Sequence, residues 1–463
     1  METDLKASKL GLSTMDAKTD VMNIPYNGYH RSGGATEDVE LTHTDPGTPC
    51  GDYLRRFWQP ICMSEQLTDL PLAVRAMGED LVVFRDLSGN VGLLHRQCSH
   101  RRTSLEYGVI AEHGIRCCYH GWLFDVDGTI LETPGEPDDS PIRHTLAHGA
   151  YPALEFKGLV FAYMGPPETK PEFPIYDTMD MPGDEMVPYA IDMPCNWLQV
   201  TENPMDPVHS VFLHTRITSA QFTPAFGATG ILEWHRMKER TGIYLTNTRR
   251  WNEYIWIRTG ESWVPNFAQP PDIYQNADRE QFFPRAGITK WVVPVDNTHC
   301  KLIAWRHYSD KLDLGGKGDK TKVGLNAVDF VGQTEDERSY EEGQREPSDF
   351  EAQVGQGPIT VHKLEHLGWS DTGVAMLRVM LKRGIRDLKK GIEPPAPVKN
   401  ADGLIPTMSG DVIVKVGKSN IDDQKAQKTL GRKVGKIVVD TLPLARGERE
   451  AEIEKRVRKL LAQ

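Results

Sequence analysis

The stretch QCSHRRTSLEYGVIAEHGIRCCYHGW, residues 97–122, limits what this chain can be more than any other. It carries Cys98-x-His100, then sixteen residues, then Cys117-x-x-His120. Two thiols and two imidazoles on two short loops can hold metal without further help. A zinc ion would gather all four in a tetrahedron. A [2Fe–2S] cluster of mixed ligation takes two Cys at one iron and two His at the other. Zinc sites tend to draw Cys with Cys from one loop and His with His from the other. Here each loop offers one of each, so each loop can grip both irons, and the order favours the cluster. A zinc-stabilised binding protein stays as the alternative. Cys118 also reads as Cys-x-His with His120; we read it as a small buried hydrophobe beside a ligand.

The pattern resembles the cluster motif of the Rieske non-haem iron oxygenases. The resemblance implies Cys98, His100, Cys117 and His120 as the cluster ligands. Respiratory Rieske proteins carry a further Cys pair that forms a disulfide, and the matching positions here are Thr103 and Tyr119. The loops therefore resemble the oxygenase type. TDPGTPCGDYLRRFWQP (44–60), GQGPI (355–359) and EHLGWSD (365–371) resemble segments of the phthalate-dioxygenase-like branch. The likeness covers roughly residues 41–395.

The 463 residues suffice for two or three domains. A net charge of −11 argues against nucleic acid or an anionic membrane as partner. No apolar run is long enough to span a bilayer, and the first twenty residues lack the apolar centre of a signal peptide. Seven cysteines in this length make no disulfide framework, so a cytoplasmic location is expected. The expected fold class is α+β. Residues 1–40 read as a polar tail and 41–165 as a Rieske antiparallel β-sandwich domain. Residues 166–395 read as a larger α+β, helix-grip-like catalytic domain, and 396–463 as a weakly patterned extension with a charged helix near its end. Thr48 and Pro49 predict a helix N-cap and first turn, with Leu54, Phe57 and Trp58 at helical spacing. Asp-Gly at 127–128 predicts a hairpin, as does Asp-Asn at 296–297 between two apolar runs. The apolar stripe of 371–390 predicts a helix.

A second constellation lies in TENPMDPVHSVFLHTR, residues 201–216: Asn203-x-x-Asp206-x-x-His209-x-x-x-x-His214. Two His and a distant carboxylate can form the facial triad of a mononuclear iron(II) that uses O₂. On a regular helix, residues five apart point about 140° away from each other. The spacing thus predicts a π-type bulge or a break between His209 and His214. By resemblance, Asp349 supplies the third ligand, with Glu346 and Glu351 as alternates. Ser348 stands where relatives usually have an acid or Gln. Asp206 has two readings: a helix N-cap before Pro207, and a carboxylate that bridges an iron-bound His to a cluster His of the neighbouring subunit. Asn203 is similar to a residue lining the iron site.

The resemblance implies the oxygenase component of a multicomponent enzyme. Electrons would come from a separate reductase or ferredoxin, with NAD(P)H acting only through it. O₂ would then hydroxylate a small aromatic substrate, carboxylated or an aryl ether. An O- or N-demethylating monooxygenase is the alternative within the family, and a Rieske electron carrier the alternative outside it. The resemblance further implies a homotrimer. Trp251, Trp256, Phe222 and Phe226 are available as pocket walls, though core packing is the simpler reading. Arg249, Arg250 and Arg258 are available for a substrate carboxylate, and the sequence selects none of them.

Overall fold

Alternation along the strand Gly242–Trp251 sets the plan of the larger part of the chain. Side chains of a strand point alternately to its two faces. Leu245, Asn247 and Arg249 face a cavity, while Thr246 and Thr248 meet the helix Asp423–Asp440. In this computed structural model the described residues are 25–31, 34–217, 221–418 and 422–462.

The strand belongs to a nine-stranded sheet whose pairings are all antiparallel. The spatial order is Glu185–Met193, Cys300–Tyr308, Ile288–Pro294, Phe267–Gln269, Tyr254–Trp263, Gly242–Trp251, Ile231–Arg236. The hairpin expected around Asp296-Asn297 joins Ile288–Pro294 to Cys300–Tyr308. One face of the sheet carries a core of Trp197, Leu245, Trp256 and Leu302, onto which the predicted helix, seen as Thr372–Leu388, packs Leu377, Leu381 and Ile385. The other face packs Ile255, Ile257, Trp291 and Ile303 against two C-terminal helices through Val434, Val438, Ile453 and Val457. Each such side chain contributes roughly 2 kcal/mol on burial. Helix Asp423–Asp440 seats closely because Gly431 has no side chain: a Cβ there would stand 2.1 Å from Thr248 Oγ1.

The C-terminal segment holds more structure than its pattern suggests. Besides the expected charged helix, seen as Glu448–Leu461, it supplies Asp423–Asp440 and the strand Gly410–Lys415. That strand pairs with both Tyr254–Trp263 and Gln281–Phe282. It is buried on both faces, so it shows no alternation to read.

The cluster loops rise from smaller sheets. One pairs Leu72–Ala76, Glu79–Arg85, Val91–His95 and Ala150–Tyr151; another pairs Val109–Ile110, Ile115–Arg116, Leu123–Phe124 and Ile130–Glu132. A third joins Trp58–Met63, Leu159–Tyr163 and Ala153–Phe156. The Asp127-Gly128 turn closes its hairpin with Gly128 at φ +88°. Thr48 caps helix Pro49–Leu54 by accepting from Gly51 N at 3.2 Å. The helix stops at Leu54, and Trp58 already opens a strand, so the helical spacing read through Phe57 and Trp58 does not hold. Main-chain bonds from Met77 N to Pro294 O (2.7 Å) and Gly78 N to Val295 O (2.9 Å) tie a small-sheet turn to the large sheet.

Residues 39–360 and 367–463 form one packed unit. Within the other, Asp38 N donates to His362 Nδ1 at 3.2 Å and Lys363 N to Thr36 O at 3.4 Å. Most of the expected polar tail lies outside the described residues. Among the described residues no helix is long and apolar enough to cross a membrane.

Candidate active site

Helix Trp197–Glu202, capped by Asn196, gives way at Pro204 and Pro207 to a short helix, His209–Val211, and then to a π-helical turn, Phe212–Arg216. Ile217 N donates to Phe212 O at 2.9 Å, five residues back. The wider turn is the π-type distortion that the five-residue spacing predicts. It returns His214 to the side of His209, with ring centroids 5.2 Å apart. Asp349 opens helix Asp349–Val354, whose cap is a reciprocal pair between Ser348 and Glu351. Among the three acids weighed from sequence, Asp349 meets the histidines. Glu351 caps Ser348 and pairs with Arg338, and Glu346 is exposed.

Asp349 Oδ1 lies 3.8 Å from His209 Nε2 and 3.4 Å from His214 Nε2. One ligand atom from each of the three residues fits within 4.8 Å of the others. Donors each about 2.1 Å from one ion lie about 3–4 Å apart, as the 3.4 and 3.8 Å separations do. Both rings are oriented for such a role. His209 Nδ1 contacts the Asp206 carbonyl, and His214 Nδ1 donates to Gln221 Oε1 at 2.7 Å. A proton fixed on Nδ1 leaves the lone pair on Nε2. Among the described residues, His214 Nε2 is buried with no hydrogen-bond partner. Asn203 Nδ2 donates to both His209 Nε2 (3.2 Å) and Asp349 Oδ1 (3.0 Å), and Gln333 Nε2 donates to Asp349 Oδ2 at 3.1 Å. Burial alone would raise the Asp349 carboxyl, but the two histidines hold it far below the usual carboxylate range. Burial pulls His214 down, and the same carboxylate more than offsets this; His209 ends lowered, chiefly by burial. A buried carboxylate beside two imidazoles that turn Nε2 toward it, one of them held by Asn203, is a donor set for a cation.

Asp206 performs the capping role: its Oδ1 accepts from Val208 N at 3.0 Å and His209 N at 3.4 Å. Its other oxygen stands 3.8 Å from His209 Nδ1. The sequence reading does not single out Gln221 or Gln333; Ser348, noted there only as a departure before Asp349, donates to Gln221 at 2.9 Å. The available signal was chemical: a ligand His needs an acceptor for its other nitrogen.

The three residues open on a cavity of about 130 Å³, close to the ~150 Å³ that accepts a single benzene. Phe222, Phe226, Leu245, Ile288, Leu302 and Phe330 make its apolar walls. Phe222 and Phe226 are thus both buried and lining, while Trp256 lies wholly buried behind them. Arg249, Arg258 and Lys290 also line the cavity, whereas Arg250 turns away to pair with Asp423 at 2.7 Å.

At the other candidate centre, each loop is closed on itself. Arg102 N donates to Cys98 O at 2.9 Å and Gly121 N to Cys117 O at 3.0 Å. Cys98 and Cys117 are buried; the His100 and His120 rings lie 4.5 Å apart, and His100 stacks on Trp122 at 4.7 Å. His100 Nδ1 is buried without a partner. Burial, then the adjacent Cys117, push the Cys98 thiol up to about 11, so thiolates there call for a cation. Among the described residues, only His209, His214 and Asp349 bring three metal-binding groups within 4.8 Å. Cys118 is exposed, so the buried reading of it is wrong: its side chain turns outward from the loop core.

Fold and geometry together define a chain with a cluster-bearing β domain and a separate His-His-Asp cavity. Residues 57–147 match the Rieske [2Fe-2S] domain. The tert-butanol monooxygenase / tert-amyl alcohol desaturase oxygenase subunit of Aquincola tertiaricarbonis is 45% identical over 390 residues, covering 81% of this chain and 82% of the relative. The phenoxybenzoate dioxygenase subunit alpha of Ectopseudomonas oleovorans is 38% identical over 390 residues, covering 81% and 91%. The crystal structure of dicamba monooxygenase bound to dicamba superposes with a TM-score of 0.52 at 16% identity, over 73% of this chain and 99% of that one, a likeness of fold. The chain belongs to the Rieske oxygenases, as an oxygenase subunit of the phthalate-dioxygenase-like branch.

Proposed function

We propose that this subunit hydroxylates a small aromatic substrate, at an iron(II) held by His209, His214 and Asp349. In this reading Cys98, His100, Cys117 and His120 hold the [2Fe–2S] cluster. The observation that carries it is the convergence of three donors from distant segments on one apolar cavity, with His214 Nε2 buried and unpartnered. An iron(II) with open positions supplies O₂ activation, and a Rieske cluster supplies its electrons singly.

The chain's own residues prepare that chemistry. Gln221 and the Asp206 carbonyl hold the Nδ1 protons, so both imidazoles present Nε2 inward. Asn203 and Gln333 orient the two Asp349 oxygens. Phe222, Phe226 and Phe330 exclude water and hold an apolar ring. No cluster-loop residue lines the cavity, and Asp206 keeps 32% of its side chain exposed. These support the reading in which subunits of a homotrimer pair one chain's cavity with the next chain's cluster through Asp206. A separate reductase or ferredoxin feeds the cluster, with NAD(P)H acting through it. The seven cysteines are joined by no disulfide, which suits a cytoplasmic setting. We keep residues 41–165 as the cluster domain, 166–395 as the catalytic domain and 396–463 as an extension.

A second reading, monooxygenation or desaturation of a small alcohol, is favoured by the 45% identical relative that acts on tertiary alcohols. Anaerobic iron and sulfide analysis, followed by turnover of a panel of aromatic acids, aryl ethers and tertiary alcohols with a surrogate reductase, tests both. A diol or phenol from the aromatics supports the first, and formaldehyde from aryl ethers assigns demethylation. Product from the alcohols alone assigns the second. Protein without inorganic sulfide, or without iron beyond the cluster, overturns the scheme.

A further inference from the structure

Two arginines on neighbouring strands share the end of the cavity beyond Phe226, and the fold treats them differently. Arg258 is paired. Its Nη1 donates to both Asp411 oxygens at 3.3 and 3.2 Å and to Asp272 O at 2.8 Å; its Nη2 donates to Pro271 O at 3.1 Å. Asp411 is fully buried, also accepts from Trp256 Nε1 at 2.7 Å, and comes from the C-terminal strand Gly410–Lys415. Arg249 is 1% exposed, yet among the described residues no carboxylate stands within ion-pair distance of it. Its Nη1 donates to the Phe226 carbonyl at 3.2 Å, and its Nε has no partner. Its guanidinium lies over Trp256 at 4.6 Å and Phe226 at 5.6 Å. Stacking on rings offsets part of the cost of burying a cation but does not neutralise it. Burial, then the neighbouring Arg258, pull its pKa to about 9, which leaves it charged at neutral pH. On another wall, Lys290 feels the charge of Asp349, but among the described residues it makes no ion pair with it.

We propose that Arg249 anchors a carboxylate of the substrate, and that Asp411 is a specificity-determining residue. Asp411 fills the Arg258 half of a two-arginine anion site, so the cavity admits a monocarboxylate and disfavours a dicarboxylate. The inference rests on the cavity being the substrate chamber. A planar carboxylate matches the guanidinium fork, and no other cation at this end is unclaimed.

Calorimetric titration of the whole, cofactor-loaded protein with benzoate, benzyl alcohol and phthalate tests it. Benzoate should bind about tenfold or more tighter than benzyl alcohol, and about tenfold or more tighter than phthalate. Arg249→Met should lower benzoate affinity about tenfold and leave benzyl alcohol within about twofold, while Arg249→Lys restores part of the loss. Asp411→Asn keeps the Trp256 bond, and it should shift the phthalate-to-benzoate preference about tenfold toward phthalate. Equal binding of benzoate and benzyl alcohol overturns the anchor, as does an Arg249→Met loss shared by both ligands. Wild-type binding of phthalate as tight as benzoate overturns the selector, a comparison that requires no variant to fold. None of these titrations reads turnover. Protein that binds benzoate through Arg249 but lacks the mononuclear iron would sink the oxygenase reading and leave this subsite standing. Iron-replete protein indifferent to charge would sink the subsite alone.

Discussion

The two faces of the nine-stranded sheet both pair buried arginines with acids, and they differ at one arginine beside the cavity. Toward the C-terminal helices, every buried arginine meets an acid. Arg285 pairs with Asp177 at 2.9 Å and Glu450 at 2.6 Å, and Arg449 pairs with Asp177 at 3.1 Å. Thr407 closes the network by donating to Asp177 through its hydroxyl at 2.7 Å. Toward the cavity, Arg258 meets Asp411 at 3.2 Å and Arg306 meets Asp329 at 3.1 Å, but among the described residues Arg249 has no ion-pair partner and His214 Nε2 no hydrogen-bond partner. Stray nitrogens occur on both faces, since Arg285 and Arg449 also leave Nε unpartnered. The distinguishing feature is the missing counter-charge. Where charges are paired within the chain they fasten the fold. Where they are left open beside a cavity, the chain depends on something it binds.

The strongest way to break that contrast is at the cavity. His214→Ala should remove the mononuclear iron and all turnover, while sulfide content and the cluster's visible absorption stay at wild-type levels. Retained iron in this variant would mean that the open lone pair is not a ligand.

Next in size is the paired face. Asp177→Asn leaves Arg449 without an ion-pair partner and Arg285 with Glu450 alone, and should cost about 3–5 kcal/mol. Arg249→Met, which removes a cation that had no acid, should change stability by no more than about 1 kcal/mol, in either direction. Urea unfolding followed by circular dichroism gives both values, and equal losses would erase the distinction between the faces.

Glu261 sharpens it further. It is fully buried on the paired face; Oε2 accepts from Met408 N at 2.8 Å, and Oε1 has no hydrogen-bond partner. Asp177 and Glu450 already balance Arg285 and Arg449, so no cation remains for a third carboxylate. Burial therefore pushes Glu261 up to about 8 from an ordinary value of 4.5. Between those two pH values the folded chain holds a proton that the unfolded chain has released. Stability from this group is thus full below the lower value, declines as pH rises through the window, and levels off above it. Glu261→Gln should match wild type near pH 5 and exceed it by about 1–3 kcal/mol at pH 9. Urea midpoints across that range decide; parallel profiles would mean that Glu261 is ionised and paired.

How far the sequence discloses these features follows from their locality. The proposed cluster loops stand out in the sequence because all four candidate donors fall within 97–122 and their order carries chemical meaning. The π-turn is legible because a five-residue His spacing conflicts with a regular helix. Asp349 is reached from sequence only by resemblance, since composition alone cannot choose one acid from a segment rich in them. Gln221, Gln333 and Asp411 leave no pattern in the sequence, and only the general need of a ligand His for an acceptor hints at the first of them. Each acts through a partner distant in sequence or across a loop, and a lone amide or acid in a strand has many uses. Gln221 lends itself to a direct test. Gln221→Leu removes the acceptor that fixes the His214 tautomer, so iron affinity measured against a chelator should fall about 10- to 100-fold with the cluster unchanged. An unaltered affinity would show that the tautomer is set by other means.

The smallest expected effect concerns Cys118, where the sequence reading and the structure part. A thiol next to a ligand, in a loop that closes from Cys117, suggests burial, but the main chain turns there. Cys117 faces the core with Trp122 and Phe124, whereas Cys118 and Tyr119 face out, with Arg101 over the Tyr119 ring at 5.7 Å. An exposed thiol has solvent for a neighbour and makes no demand on a metal. Cys118→Ser should therefore leave sulfide content and the visible spectrum unchanged and move the unfolding midpoint by less than about 0.5 kcal/mol. Cys117→Ser should abolish the cluster. Loss of the cluster in Cys118→Ser instead would shift the second loop's register by one residue. The buried Cys117 would then be the thiol without a role, and the rule drawn from the two faces of the sheet would fail at the other centre.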